Sequence, residues 1–317
     1  MSPFRLSCDV MKDRKTLRIV YMGTPEFAVA ALEALVEGGY NVVGVVTMPD
    51  KPVGRHGSVL QASPVKQYAV DKGLKVLQPE RLKDESFLGE LRALRADLQI
   101  VVAFRMLPEV VWSMPPLGTF NAHASLLPKY RGAAPINWAI IRGERETGMT
   151  TFMLKHEIDT GDIIQQVRVP IFEGDNAGTL HDRLMTLSAS LVTETVDSLI
   201  EGTLVTHPQQ DAEATDAPKI FRETCKIDWN RPTAEVHNFI RGLSPYPGAW
   251  TVLNGKVLKI FESTPHPGEH EAPGTLYSDG RSVLEISAAD GVIRVKTLQM
   301  EGKKRMSTED FLRGTKL

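Results

Sequence analysis

In the N-terminal two-thirds of the chain, short continuous apolar runs alternate with wider apolar stripes of helical spacing. Arg18 to Met22 (R-I-V-Y-M) reads as a buried strand. The residues after Gly23 suit a helix start, with Thr24 as N-cap, Pro25 at the first helical position and Glu26 at the positive end of the dipole. Phe27, Ala31, Leu32 and Leu35 recur at helical spacing until Gly38-Gly39. The next apolar run is Asn41 to Met48. The alternation continues with a helix near Pro64 to Lys72, a strand Lys75 to Leu77, a helix Glu85 to Ala96 and a strand Leu98 to Phe104. Continuous apolar strands separated by helices predict an α/β domain, Rossmann-like, with a mostly parallel sheet covered on both faces.

Leu180, Leu184, Leu187, Leu191, Val196 and Leu199 mark a long amphipathic helix that stops at Gly202. The texture then changes. Thr206 to Pro218 is polar, acidic and flanked by prolines, the composition of a linker. After a short helical stretch, Thr233 to Arg241, come short strand patterns at Ala249 to Leu253, Val257 to Glu262, Gly274 to Tyr277, Val283 to Ser287 and Val292 to Gln299. Asn254-Gly255 and Asp290-Gly291 suit tight hairpins. This spacing predicts a small OB-like β-barrel. The expected organisation is an extension at 1–16, a catalytic domain at 17–204, a linker at 205–221 and the barrel at 222–317.

Composition narrows the class. With 317 residues, 42% hydrophobic and 24% charged, the chain has ordinary globular content, which sets disorder aside. Two cysteines are too few for a disulfide framework or a Cys-based zinc site. Apolar runs such as Leu98 to Phe104 are too short to span a bilayer, and Met1 to Lys15 has mixed charges and no apolar core, unlike a secretory signal. A soluble, cytoplasmic protein is expected, with Met1 to Lys15 frayed and Met11 an alternative start. The net charge of −2 argues against a general DNA coat. Locally, Arg294, Lys296, Lys303, Lys304, Arg305, Arg313 and Lys316 face only Glu301, Glu309 and Asp310, a balance of +4 at the C-terminus. By itself such a segment is usually a solvated tail.

Candidate chemistry gathers at Phe120 to Pro128 (F-N-A-H-A-S-L-L-P). Asn121 and His123, at i and i+2 where a strand runs out, project to the same side at the end where open α/β sheets place ligands. Histidine exchanges protons near neutrality and asparagine can donate to a developing oxyanion. Downstream, Asp159-Thr160-Gly161-Asp162 puts two carboxylates on a tight loop. Either could orient His123, or merely close an Asx turn. Other chemistries lose their motifs. Gly23 does not open a G-x-G-x-x-G turn, which removes a nicotinamide dehydrogenase. Ser125 lacks the G-x-S-x-G elbow, and neither a P-loop nor a H-E-x-x-H pattern is present.

Asn121, His123 and Asp159, with S-L-L-P at Ser125 to Pro128 and Y-R-G-A-A-P-I-N-W at Tyr130 to Trp138, resemble the folate-dependent formyltransferases. The similarity extends through R-I-V-Y-M-G-T-P-E-F-A (Arg18 to Ala28), P-D-K-P-V-G-R (Pro49 to Arg55), E-T-G-M-T (Glu146 to Thr150), K-I-D-W (Lys226 to Trp229) and R-G-L-S-P-Y-P-G-A-W (Arg241 to Trp250). It omits about the first sixteen residues and is greatest to the tRNA-directed members. The resemblance implies formyl transfer from 10-formyltetrahydrofolate to the amino group of methionine on initiator tRNA, without metal or nicotinamide. It implies Asn121, His123 and Asp159 as the catalytic set and Ser125, Leu126, Leu127 and Pro128 as lining for the folate. In the family the loop at Pro49 to Gln61 reaches the tRNA acceptor end, which implies Arg55, with Lys51 and His56, as contacts there. Here Gly57, Ser58 and Val59 replace the lysines that many relatives carry after this arginine. The basic C-terminal segment, with Lys303, Lys304 and Arg305, becomes a tRNA platform, and a monomer is expected. Two other readings are weighed. A small-amine acceptor is disfavoured by the barrel, and a retired scaffold that only binds RNA is disfavoured by the intact catalytic set.

Overall fold

The computed structural model describes residues 12–53, 59–315 and Leu317. In chain order its main elements begin with β1 (Ile19–Gly23), α1 (Phe27–Glu37), β2 (Val42–Val46), α2 (Pro64–Asp71), β3 (Val76–Leu77), α3 (Glu85–Ala93), β4 (Leu98–Val102) and α4 (Glu109–Trp112). Then follow β5 (Thr119–His123), α5 (Pro135–Ile141), β6 (Glu146–Met153), β7 (Ile163–Pro170), α6 (Ala177–Ile200) and α7 (Thr233–Gly242). The last are β8 (Ala249–Leu253), β9 (Lys256–Pro267), β10 (Leu276–Ser278), β11 (Leu284–Ala288), β12 (Gly291–Met300), β13 (Met306–Ser307) and α8 (Thr308–Arg313). The chain divides into two compact units. The first runs to Arg131 and adds Gly148–Arg168 and Asp182–Thr215; the second holds Gly132–Thr147, Val169–His181 and Asp216–Leu317.

The first unit is built on a sheet of order β7-β6-β5-β4-β1-β2-β3. Pairs β1/β2, β2/β3, β1/β4 and β4/β5 are parallel, and β6 runs antiparallel to β5. β1 and β4 are buried at every position, as strands covered on both faces must be, and this explains their mostly apolar sequence, which only Gln99 of β4 interrupts. After β1 the chain builds outward through β2 and β3, then returns to the other side of β1. The carboxyl ends of β1 and β4 therefore form the switch point where such sheets open a ligand crevice. Gly23 ends β1 because a side chain has no room: a Cβ there would lie 2.6 Å from the Ala28 Cβ and 2.9 Å from the Val102 carbonyl.

Thr24 does not cap α1. The helix opens as a tight turn in which Ala28 N–H donates to the Pro25 carbonyl, and the Thr24 hydroxyl is buried without a partner among the described residues. Capping works as expected at α2, where Ser63 accepts from Lys66 N–H and Pro64 takes the first position. Of Met1 to Lys15, expected to fray, residues 1–11 lie outside the described residues, and Lys12 to Lys15 are anchored. Lys12 pairs with Asp97, the Arg14 guanidinium lies 2.6 Å from Asp197 and 4.7 Å above the Tyr40 ring, and the Asp13 carbonyl accepts from Leu17 N–H.

The second unit holds an antiparallel half-barrel of order β8-β9-β12-β11-β10, with β13 on β12. Val236 and Ile240 of α7 join Leu258, Ile260, Ile286, Ile293 and Leu298 in its core. Two register shifts around Glu262 bend the long β9/β12 pair, as bulges do where a sheet curls. Asn254 and Gly255, with φ of 50° and 76°, turn between β8 and β9. The β11/β12 turn falls one residue earlier than expected, at Ala289-Asp290. Asp290 accepts from Thr233 N–H at the start of α7, while Gly291 already pairs within β12.

Gly161 is a steric requirement, since a Cβ there would lie 1.5 Å from the Met153 carbonyl oxygen. Gly161→Ala should cost about 2–3 kcal/mol. Gly89, inside α3, meets nothing within 4 Å, so Gly89→Ala should gain about 0.5–1 kcal/mol. Urea unfolding of both variants tests this steric account, and a Gly161→Ala midpoint equal to wild type would refute it.

Candidate active site

β5 lies beside β4 in parallel register and beside β6 in antiparallel register, so its last residues reach the open end of the sheet with support on both sides. His123 is opposite Thr150, and Asn121 is opposite Phe152. The imidazole is 7% exposed and meets the Phe152 ring edge-on at 6.4 Å. Its Nε2 lies 2.8 Å from the Tyr130 carbonyl oxygen. A carbonyl only accepts, so Nε2 carries a hydrogen and proton exchange falls to Nδ1. Nδ1 faces the Asp159 carboxylate at 3.7 Å, and that side chain is 11% exposed.

The two carboxylates left open by the sequence are thus distinguished. Asp162 turns to Lys155, which donates to it at 2.7 Å, whereas Asp159 turns to His123. Asp159 has φ of 54° and Tyr130 has φ of 62°, so both supports of the imidazole come from left-handed backbone. Gln209 holds the Asp159 turn by donating to the Asp159 and Gly161 carbonyls, 2.8 Å each. Arg131 grips Gln209 and Asp211, and the Thr215 hydroxyl accepts from Tyr130 N–H. The segment after Gly202 therefore braces the site, although its composition shows only a polar connector. Tyr130, Gln209 and Thr215 carry no local signal for this role in the sequence.

Ser125 is buried, and its hydroxyl donates to the Lys129 carbonyl at 2.7 Å, a turn-closing bond. Thr150 forms the hub of the Ser125 to Pro128 turn. It donates to the Ser125 carbonyl at 2.6 Å and accepts from Leu127 N–H and Gln166 Nε2 at 3.2 and 2.9 Å. Three buried polar atoms lack partners among the described residues at the carboxyl ends of neighbouring strands: Thr24 Oγ1 beyond β1, Arg105 Nε beyond β4 and Asn121 Oδ1 on β5. Burial lowers the Arg105 pKa, and the guanidinium donates to the Pro79 and Glu80 carbonyls. Buried polar groups are almost always bonded, so three orphans around one sheet end fit a polar ligand such as a folate.

The basic candidates scatter. Arg55 and His56 lie outside the described residues, and Lys51 is exposed on a short strand paired with Val59–Gln61. In the second unit Lys303 and Lys304 are exposed, and neither makes an ion pair among the described residues. Arg305 is engaged: its guanidinium lies 3.4 Å above the Phe261 ring and donates to the Pro245 carbonyl. No helix among the described residues is long and apolar enough to cross a membrane.

A family model described as formyl transferase matches residues 17–196, and one described as formyl transferase, C-terminal domain, matches residues 219–316. The methionyl-tRNA formyltransferase of Parabacteroides distasonis is 62% identical, over 96% of this chain and 97% of its own. That of Phocaeicola vulgatus is also 62% identical, over 95% and 97%. In fold, the chain is similar to an N-formyltransferase from Helicobacter canadensis solved with folinic acid and dTDP-3-aminofucose. That likeness has a TM-score of 0.66 at 22% identity and covers 91% of this chain and 99% of the other. Matched by family models in both halves and nearly end to end by relatives at 62% identity, the chain belongs to the formyl transferase family, in its methionyl-tRNA formyltransferase branch.

Proposed function

We propose that this enzyme transfers a formyl group from 10-formyltetrahydrofolate to the amino group of methionine on initiator tRNA, using Asn121, His123 and Asp159. The observation that carries the reading is their convergence at the end of β5, beside the unpartnered polar atoms of the sheet's switch point. The folate supplies an activated formyl carbon. The Asn121 side chain, whose buried Oδ1 has no partner among the described residues, turns its NH2 to donate to the oxygen that gains negative charge during transfer. His123, its Nε2 hydrogen held by Tyr130, presents Nδ1 as its exchangeable site and in protonated form adds positive charge there. Asp159 accepts the proton that the attacking amine must lose, directly or through a water, and that proton passes to the folate nitrogen as its bond to the formyl carbon breaks and tetrahydrofolate leaves. The Ser125 to Pro128 turn, kept in shape by Thr150, lines the folate site.

Residues 17–204 then act as the catalytic domain, 205–221 as the linker and 222–317 as the tRNA-binding domain of a monomer. Arg55 and Lys51 meet the acceptor end, Lys303 and Lys304 meet backbone phosphates, and Arg305 supports that surface. The reaction serves translation initiation, and a cytoplasmic enzyme is part of this reading.

Labelled formyl should pass to charged initiator tRNA and not to free methionine. His123→Ala and Asp159→Asn should each lower kcat by about 10²–10⁴-fold with the thermal midpoint retained. Wild-type turnover in either variant would defeat the catalytic assignment. Thr150→Val strips three hydrogen bonds from the turn, and should cost about 2 kcal/mol of stability and raise KM for the formyl donor. An unchanged donor KM would remove that turn from the folate site. Titrations at increasing salt should show tRNA affinity falling steeply, with the log–log slope flattened by about 1–2 in the Lys303→Ala/Lys304→Ala variant. A salt-independent affinity would exclude a phosphate platform.

A further inference from the structure

Between α7 and β8 the chain reads Ser244-Pro245-Tyr246-Pro247-Gly248. Tyr246 is 82% exposed, the largest exposure of any large hydrophobic side chain among the described residues. A folded chain gains by covering an aromatic ring, and the loop that carries this one is not slack. Prolines fix φ on either side of the tyrosine. Arg305 donates to the Pro245 carbonyl at 3.0 Å, and Lys259 donates to the Pro247 carbonyl at 2.8 Å. Gly248 N–H returns to the Leu243 carbonyl, and the Ser244 carbonyl accepts from Gly178 N–H. Packing against the loop is so close that a Cβ on Gly178 would lie 2.6 Å from the Pro245 Cδ. The ring is thus presented to solvent on a braced support, and binding it costs little ordering.

Its surroundings give the chemistry of the partner. Arg305, which holds Pro245 and stacks on Phe261, directly follows the exposed Lys303 and Lys304, neither of which makes an ion pair among the described residues. The nearby Glu301 carboxylate is itself engaged by Val257 N–H at 3.1 Å. An exposed aromatic face beside lysines is the surface on which unpaired bases of RNA stack while their phosphates are neutralised.

We propose that Tyr246 is a stacking platform for an unpaired nucleotide of the tRNA substrate, with Lys303 and Lys304 meeting the phosphates beside it. The inference rests on the tRNA reading above and adds a specific contact to it. The ring needs no hydroxyl for this role, so phenylalanine should serve as well as tyrosine, while alanine should not.

Steady-state formylation of charged initiator tRNA by the full-length variants provides one test. Tyr246→Ala should raise KM for the tRNA by about tenfold, with KM for the formyl donor and the thermal midpoint unchanged, and Tyr246→Phe should restore the wild-type value. A second test needs no turnover. In Tyr246→Trp the exposed indole should lose fluorescence when uncharged tRNA or oligo(A) is added, relative to wild type. Failure of the tRNA reading itself would show as no formyl transfer by wild type, and the quenching would still decide the platform. A wild-type tRNA KM in Tyr246→Ala, or an indole indifferent to both RNAs, overturns the proposal. So does a tyrosine-dependent dimer in sedimentation, which would make the ring a contact between copies.

Discussion

The imidazole of His123 is bonded at Nε2 and faced by a carboxylate at Nδ1, and much of the first unit is arranged around that requirement. The Tyr130 carbonyl fixes the hydrogen on Nε2, and the Asp159 carboxylate faces Nδ1 at 3.7 Å, so turning the ring over would break the Tyr130 bond and take Nδ1 away from the carboxylate. Both partners come from residues with positive φ, at a cost of about 1 kcal/mol or more each. That cost is met locally. Thr215 accepts from the Tyr130 amide, and Gln209, itself gripped by Arg131, donates to two carbonyls of the Asp159 turn. The strained geometry survives because the surrounding hydrogen bonds leave it no better alternative.

The same requirement explains two glycines. The chain must leave β5 and come back along β6 and β7 so tightly that Asp159 returns to the end of β5. A Cβ on Gly148 would lie 1.9 Å from the Val167 carbonyl, and one on Gly161 would lie 1.5 Å from that of Met153. Backbone approaches backbone at both points, and no neighbouring side chain could yield to make room. The carboxylate reaches the histidine through absence of side chains as much as through the presence of its own.

The parallel sheet, the long helix and the β-rich C-terminal region were legible because burial on both faces writes continuous apolar runs, and burial on one face writes a stripe. Asn121 and His123 were legible as a pair because strand periodicity puts them on one side. The choice between Asp159 and Asp162 was not, since both occupy the same loop and only the backbone turn separates their directions. Thr24 misled for a related reason: its type suits a cap, but the turn led by the Pro25 carbonyl left its hydroxyl without an amide to accept. Gln209 and Thr215 were invisible because a residue that braces another through one hydrogen bond leaves no periodicity and no motif.

Charge shows the same gap between a count and a surface. The C-terminal segment has a balance of +4 by sequence, yet its arginines are engaged. Arg294 lies 2.7 Å from Glu285, Arg313 lies 2.9 Å from Asp310, and Arg305 is bound to a carbonyl and a ring. Among the described residues of this C-terminal segment, the cations left without an acidic or backbone partner are lysines: Lys296, Lys303 and Lys304. Arginine's planar fork suits fixed intramolecular partners, whereas lysine's compact charge on a flexible stem suits a polyanion whose phosphates it must find. Phosphate neutralisation carries no base information, so a contact that is not electrostatic gains weight in selecting the substrate. A rigid aromatic ring left in solvent beside those lysines supplies a contact of that kind.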